Sequence, residues 1–100
     1  MSVAASTALI VALTGTAQAA SGMVFYKSAD GRDHSAIDPA DGVCHTLEGI
    51  GGVIYALNAT DKSVRFYSDQ SCGETVVATI PPNESAMFDP AGSMLFAGTR

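Results

Sequence analysis

His34 and His45 are the two imidazoles of the chain, so a general base of the usual kind has to be one of them. Ser and Asp are plentiful enough to name a Ser–His–Asp set, but no G-x-S-x-G elbow is present and no spacing favours any trio. His45 sits beside Cys44 in a segment that reads as a strand, where successive side chains point to opposite faces. Both histidines read as ordinary strand or surface residues. Paired carboxylates stand at Asp30 and Asp33 and at Asp38 and Asp41. Glycoside hydrolysis would need one of them raised in pKa inside a cleft, whereas in turns such residues serve local hydrogen bonds. A zinc set of Cys44, His45, Cys72 and His34 lacks any paired-ligand spacing. The chain reads as a non-enzyme, with no catalytic residue, no metal site and no cofactor.

Binding offers more than catalysis. Ser68, Asp69, Gln70, Ser71 and Gly73 surround Cys72, and a bridged cysteine inside an exposed loop lowers the ordering cost of docking. Ile80, Pro81, Pro82, Asn83 and Glu84 form a second candidate loop, stiffened by the fixed φ of two prolines. Both segments are expected to be available to a partner. Asn58-Ala59-Thr60 and Asn83-Glu84-Ser85 also match the glycosylation acceptor pattern.

These residues have to be positioned by a small chain. One hundred residues make one domain at most. Residues 1–26 carry no charged side chain, and the apolar run Ala8-Leu9-Ile10-Val11-Ala12-Leu13 is followed by Ala17-Gln18-Ala19. An apolar segment followed by A-x-A is the pattern of a secretory leader cut after Ala19, although Met1-Ser2-Val3 supplies no Lys or Arg. Ser6, Thr7, Thr14, Gly15, Thr16 and Gln18 interrupt the run too often for a membrane span. The expectation is a signal peptide over 1–19 and one secreted domain over 20–100. Export suits Cys44 and Cys72, the only two cysteines, which an oxidising compartment would pair. Such a bridge contributes ~3.5 kcal/mol in the chain-entropy account.

The net charge is −5, and Lys27, Arg32, Lys62, Arg65 and Arg100 are scattered. That balance repels phosphate backbones and anionic membranes, so neither nucleic acid nor, after leader cleavage, membrane is an expected partner. A monomer is the default state.

Strands are expected at 23–27, 34–38, 43–47, 53–57, 64–67, 75–80, 86–88 and 93–97, each rich in Val, Ile, Thr, Tyr or Phe. Turn chemistry separates them, including Asp89-Pro90-Ala91-Gly92 and the connector 58–62. No stretch after Gly22 sustains helical periodicity. Phe66 should be buried, with Tyr67 partly wet at the rim and its hydroxyl partnered. The halves echo each other at an offset of 41, Phe25-Tyr26 answering to Phe66-Tyr67 and Gly51-Gly52-Val53 to Gly92-Ser93-Met94. Two four-stranded Greek-key halves, over about 23–58 and 64–98, would pack as one β-sandwich with a continuous core.

The segments Phe25-Tyr26-Lys27-Ser28-Ala29-Asp30-Gly31 and Phe66-Tyr67-Ser68-Asp69-Gln70-Ser71-Cys72-Gly73 resemble the βγ-crystallin motif. The nearer likeness is to small secreted bacterial proteins of that fold, among them a metalloproteinase inhibitor and killer-toxin-like proteins. The second aromatic of the family motif is missing from both halves: Gly31 and Cys72 stand in its place. The family's calcium-ligand pattern fits neither half, so calcium sites are not carried over. The resemblance implies a small secreted domain acting by surface binding, for example on an extracellular protein such as a protease. A protease inhibitor presenting a rigid loop is the first alternative, and a secreted toxin or antimicrobial the second. The net charge of −5 speaks against direct membrane disruption by the latter.

Overall fold

A computed structural model describes residues 20–96. The expected leader 1–19, and Ala97 at the end of the last expected strand, lie outside them. Eight strands form and no helix is present among the described residues: β1 (Gly22–Ser28), β2 (Asp33–Ile37), β3 (His45–Thr46), β4 (Val53–Thr60), β5 (Val64–Tyr67), β6 (Val76–Ile80), β7 (Glu84–Ala91) and β8 (Ser93–Phe96). They build two antiparallel four-stranded sheets, ordered β2-β1-β4-β7 and β3-β8-β5-β6. Three strands of the first half stay in the first sheet while β3 crosses to the second. The second half mirrors this, sending β7 across to the first sheet. Replacing β1, β2, β3 and β4 by β5, β6, β7 and β8 turns one strand order into the other read backwards.

Alternation dictates the faces. In β1, Val24, Tyr26 and Ser28 are buried while Phe25 and Lys27 are exposed; in β5, Val64 and Phe66 are buried and Arg65 is exposed. With Val53, Ile80, Met94 and Phe96 these inward residues make one core between the sheets. Phe66 of the second sheet stacks on Phe88 of the first, ring centroids 4.8 Å apart, which ties the two layers together.

The faces correct the repeat. At an offset of 41, Phe25 would match Phe66, yet Phe25 is 41% exposed and Phe66 fully buried. In β1 and β5 the inward residues match at 40, Val24 with Val64 and Tyr26 with Phe66, because a shift of one position moves a strand's whole apolar set to the other face, while Val53 and Met94, both buried, keep the offset of 41.

Three strand bounds and one burial differ most from expectation. β3 shrinks to two residues because it pairs only with β8, and its flanks are held by single bonds, Gly42 N–H to Phe96 O (3.0 Å) and Leu47 N–H to Gly92 O (2.9 Å). β7 runs through Asp89 and Pro90, read above as a turn; it is an edge strand, where a missing N–H costs no ladder bond. β4 extends through Asn58, Ala59 and Thr60, which shortens the connector between halves to 61–63. Tyr67 is 7% exposed rather than partly wet, yet it stands outside the core cluster: its hydroxyl receives Arg65 Nη1 at 3.4 Å, on the side of β5 that carries exposed Arg65.

Candidate functional site

Cys44 and Cys72 are bridged, their Cα atoms 5.8 Å apart. Cys44 immediately precedes β3, and Cys72 lies in the loop between β5 and β6, so the bridge fastens the crossing strand to the sheet it joins. It also fastens the 68–73 loop. With both thiols consumed, the zinc set named from the sequence cannot form.

The loop is tied down further by its own side chains. The Asp69 carboxylate accepts hydrogen bonds from the backbone N–H groups of Ser71 (2.9 Å), Gly73 (3.1 Å to one oxygen, 3.2 Å to the other) and Glu74 (2.9 Å), so the chain wraps around it. Partial desolvation pushes the Asp69 carboxyl upward, but these N–H donors outweigh it and hold the group below the ordinary carboxylate value. The buried Ser93 hydroxyl donates to Asp69 O (2.6 Å) and accepts from Cys72 N–H (3.0 Å), and the Thr46 hydroxyl donates to Gln70 O (3.1 Å). Cys72 sits at φ 55°, a left-handed conformation that these contacts stabilise. Ser68, Gln70, Ser71 and Gly73 are exposed on this fixed frame.

A second loop, 48–52, stands beside it. Gly49 at φ +140° and Gly51 at φ +84° let the backbone take a path that side-chain-bearing residues avoid, and a Cβ on Gly49 would collide with Ser28. Ile50 rides at the tip, 75% exposed. A cleft of about 610 Å³ runs between this loop and the end of the first sheet, lined by Arg32, His34, Thr46, Glu48, Ile50 and Gln70. A smaller one of about 380 Å³ lies on the other side of Leu47 and Gly49, reaching Ser68 and Pro90. Gln70 borders both.

Asp30 and His34 line the larger cleft, and buried Ser28 meets both behind it, a trio no spacing had singled out. The Ser28 hydroxyl donates to the Asp30 carboxylate and lies 3.3 Å from His34 Nε2. The bond from Ser28 is the main reason the Asp30 carboxyl sits below its usual value, with the Arg32 N–H and guanidinium adding to it. This is not the geometry of a nucleophile. Ser28 is fully buried beneath Gly49, and its proton goes to the carboxylate rather than to the imidazole. His34 stacks on Tyr26 with centroids 5.1 Å apart; burial first, and the Glu48 carboxylate second, push the Tyr26 hydroxyl above the usual phenol range. The trio is a joint that seats the 48–52 loop. His45 has a structural place too, its ring Nε2 donating to Ala40 O (2.9 Å) and its edge meeting Phe96.

The other candidate segment, 80–84, lies at the opposite end of the sandwich, so the structure does not bring the two loops together. Ile80 closes β6 and is 1% exposed, hence a core residue that no partner can touch. Pro81, Pro82, Asn83 and Glu84 are left at the surface, with Asn83 at φ 64° and its N–H on Asn58 O (2.6 Å). The Asn58 carboxamide is buried and committed: its NH₂ donates to Lys62 O (2.7 Å) and Ile80 O (2.9 Å), and its oxygen accepts the Thr60 hydroxyl (2.6 Å). It is closed to glycosylation in the folded protein, unlike exposed Asn83.

Ile50 is not among the residues that the sequence motifs single out. The signal was present: a β-branched apolar residue set among glycines can neither extend a strand nor reach the core. Compared with known proteins, the chain matches no family model, no curated protein and no solved structure.

Proposed function

We propose that this chain is a small secreted, non-catalytic β domain that binds another extracellular macromolecule through the end of the sandwich carrying the 68–73 and 48–52 loops. One observation carries the reading: the 68–73 loop is immobilised by a disulfide, a carboxylate cage and two hydroxyl groups, yet leaves Ser68, Gln70 and Ser71 free beside exposed Ile50. Prepaid ordering of this kind favours docking. The crossing of β3 and β7 supports a pair of Greek-key halves and, with the two aromatic motifs, a βγ-crystallin-like assignment. The disulfide is compatible with an oxidising, extracellular location.

A partner protein is captured from extracellular fluid on the immobilised chain and compared with capture on Ile50→Asp combined with Gln70→Ala. Both positions are exposed, so the fold should survive; a partner retained equally by wild type and variant would refute the loop end as the binding surface. The same rigidity favours a second reading, inhibition of an extracellular protease with the 68–73 loop in its cleft. Titration against metallo- and serine proteases tests it, and undiminished activity at large molar excess removes it.

A further inference from the structure

The outer face of the first sheet carries an apolar band that crosses all four strands, with Ser35 and Ser85 at the two ends of the row through Phe25 and Leu57. Residues paired across antiparallel strands share a face, and the register places Ile37 beside Met23, Phe25 beside Leu57, and Tyr55 beside Met87. Met23 and Phe25 follow one another along the outside of β1, as Tyr55 and Leu57 do along β4, so the six side chains form one unbroken patch. Ile37 is 69%, Met87 76% and Phe25 41% exposed. The charged pair Lys27 and Asp33, bridged at 3.5 Å, fills the β1 and β2 end of the row that holds Tyr55 and Met87, so one corner of the face is charged and the band runs past it. The outer face of the second sheet differs, with Arg65 and Thr79 paired at its centre.

We propose that two copies of this chain associate through that face, sheet against sheet, in place of the monomer its sequence implies. Size fits a second copy. Strands of five, seven, eight and eight residues at about 3.3 Å per residue, spaced at about 4.8 Å, give a face of roughly 440 Å² in projection. A face of that size is smaller than the ~800 Å² per partner of a standard interface and suits a weak, reversible contact. Chemistry fits as well. An isologous contact needs a patch complementary to itself, and an apolar band on a sheet face can meet its own copy as the two inner faces of a sandwich meet, about 10 Å apart. No charge on the patch selects an unlike partner. Each copy carries −5, and that repulsion opposes the contact until salt screens it.

Sedimentation of the purified full chain, in whatever processed form its host leaves it, tests this over about 1–500 µM, with the N-terminus of the same sample read by mass spectrometry. A monomer–dimer equilibrium centred at tens of micromolar is expected, given the modest area, tightening several-fold between about 0.05 and 0.5 M salt. Phe25→Asp and, separately, Met87→Lys on the edge strand should each weaken it at least tenfold, with melting temperature reporting that the fold persists. Thr79→Lys on the other sheet should leave it unchanged. A monomer at about 500 µM, with or without residues 1–19, overturns the proposal. So does a dimer that both face variants leave intact.

Discussion

β3 and β7 occupy the same place in the two halves, since each crosses to the other sheet, yet they are held by different means. β7 is eight residues long, pairs along β4 and sends Phe88 onto Phe66 in the core. β3 is two residues long, pairs only with β8, and relies on the Cys44–Cys72 bridge, the His45 bond to Ala40 and the Thr46 bond to Gln70. A strand leaving its own sheet must be fastened where it arrives. A long ladder does this for β7; where the ladder is too short to do so, a covalent bond and side-chain contacts replace it. The second arrangement has a by-product, because the fastening of β3 is also the fastening of the 68–73 loop. Rigidity at the loop end is thus a consequence of weakness in β3.

Removing the bridge should have the largest effect. Cys44→Ala with Cys72→Ala is expected to lower unfolding free energy by about 3.5 kcal/mol, read from the urea midpoint; a loss under about 1 kcal/mol would mean that β3 holds without it. Truncation on the β7 side comes next. Phe88→Ala leaves a gap against Phe66 and should cost about 2–3 kcal/mol, nearer the low end of aromatic truncations because Phe88 is only partly buried. Its loss should be global, with no selective exposure of β3.

Thr46→Val keeps the shape and removes one hydroxyl bond, for an expected cost of about 1 kcal/mol confined to β3 and the 68–73 loop. Acid gives the smallest effect. Because the Asp69 carboxyl is depressed in the folded protein, its contribution is present above the ordinary carboxylate value of about 3.9 and is lost as pH falls through the lower folded value. The amides of Ser71, Gly73 and Glu74 should shift together in that window by NMR, while those of β4 and β7 stay in place.

Strand existence was legible because Val, Ile, Phe and Tyr alternate between turn residues, and Phe66 in the core followed from that alternation alone. The disulfide was legible from two cysteines in one small chain. Partner strands were not. Without knowing that β7 lies at an edge, Pro90 reads as the end of a strand; without knowing that β3 has a single neighbour, 43–47 reads as a full one. The misread offset has a similar origin: Phe25 and Phe66 are the same residue type on opposite faces, and identity outweighed the period of two. At the loop end, the contact of Ser28, Asp30 and His34 depends on Gly49 arriving from a distant segment, which no local spacing records.

Amide hydrogen exchange of the oxidised and reduced protein, compared residue by residue, tests most directly whether the bridge compensates for the short β3. The amides of Gly42 and Leu47, bonded to Phe96 and Gly92 on either side of β3, and of Cys72, bonded to Ser93, should lose protection selectively on reduction, while those between β4 and β7 keep theirs. Protection lost evenly over both sheets, or unchanged beside β3, would contradict it.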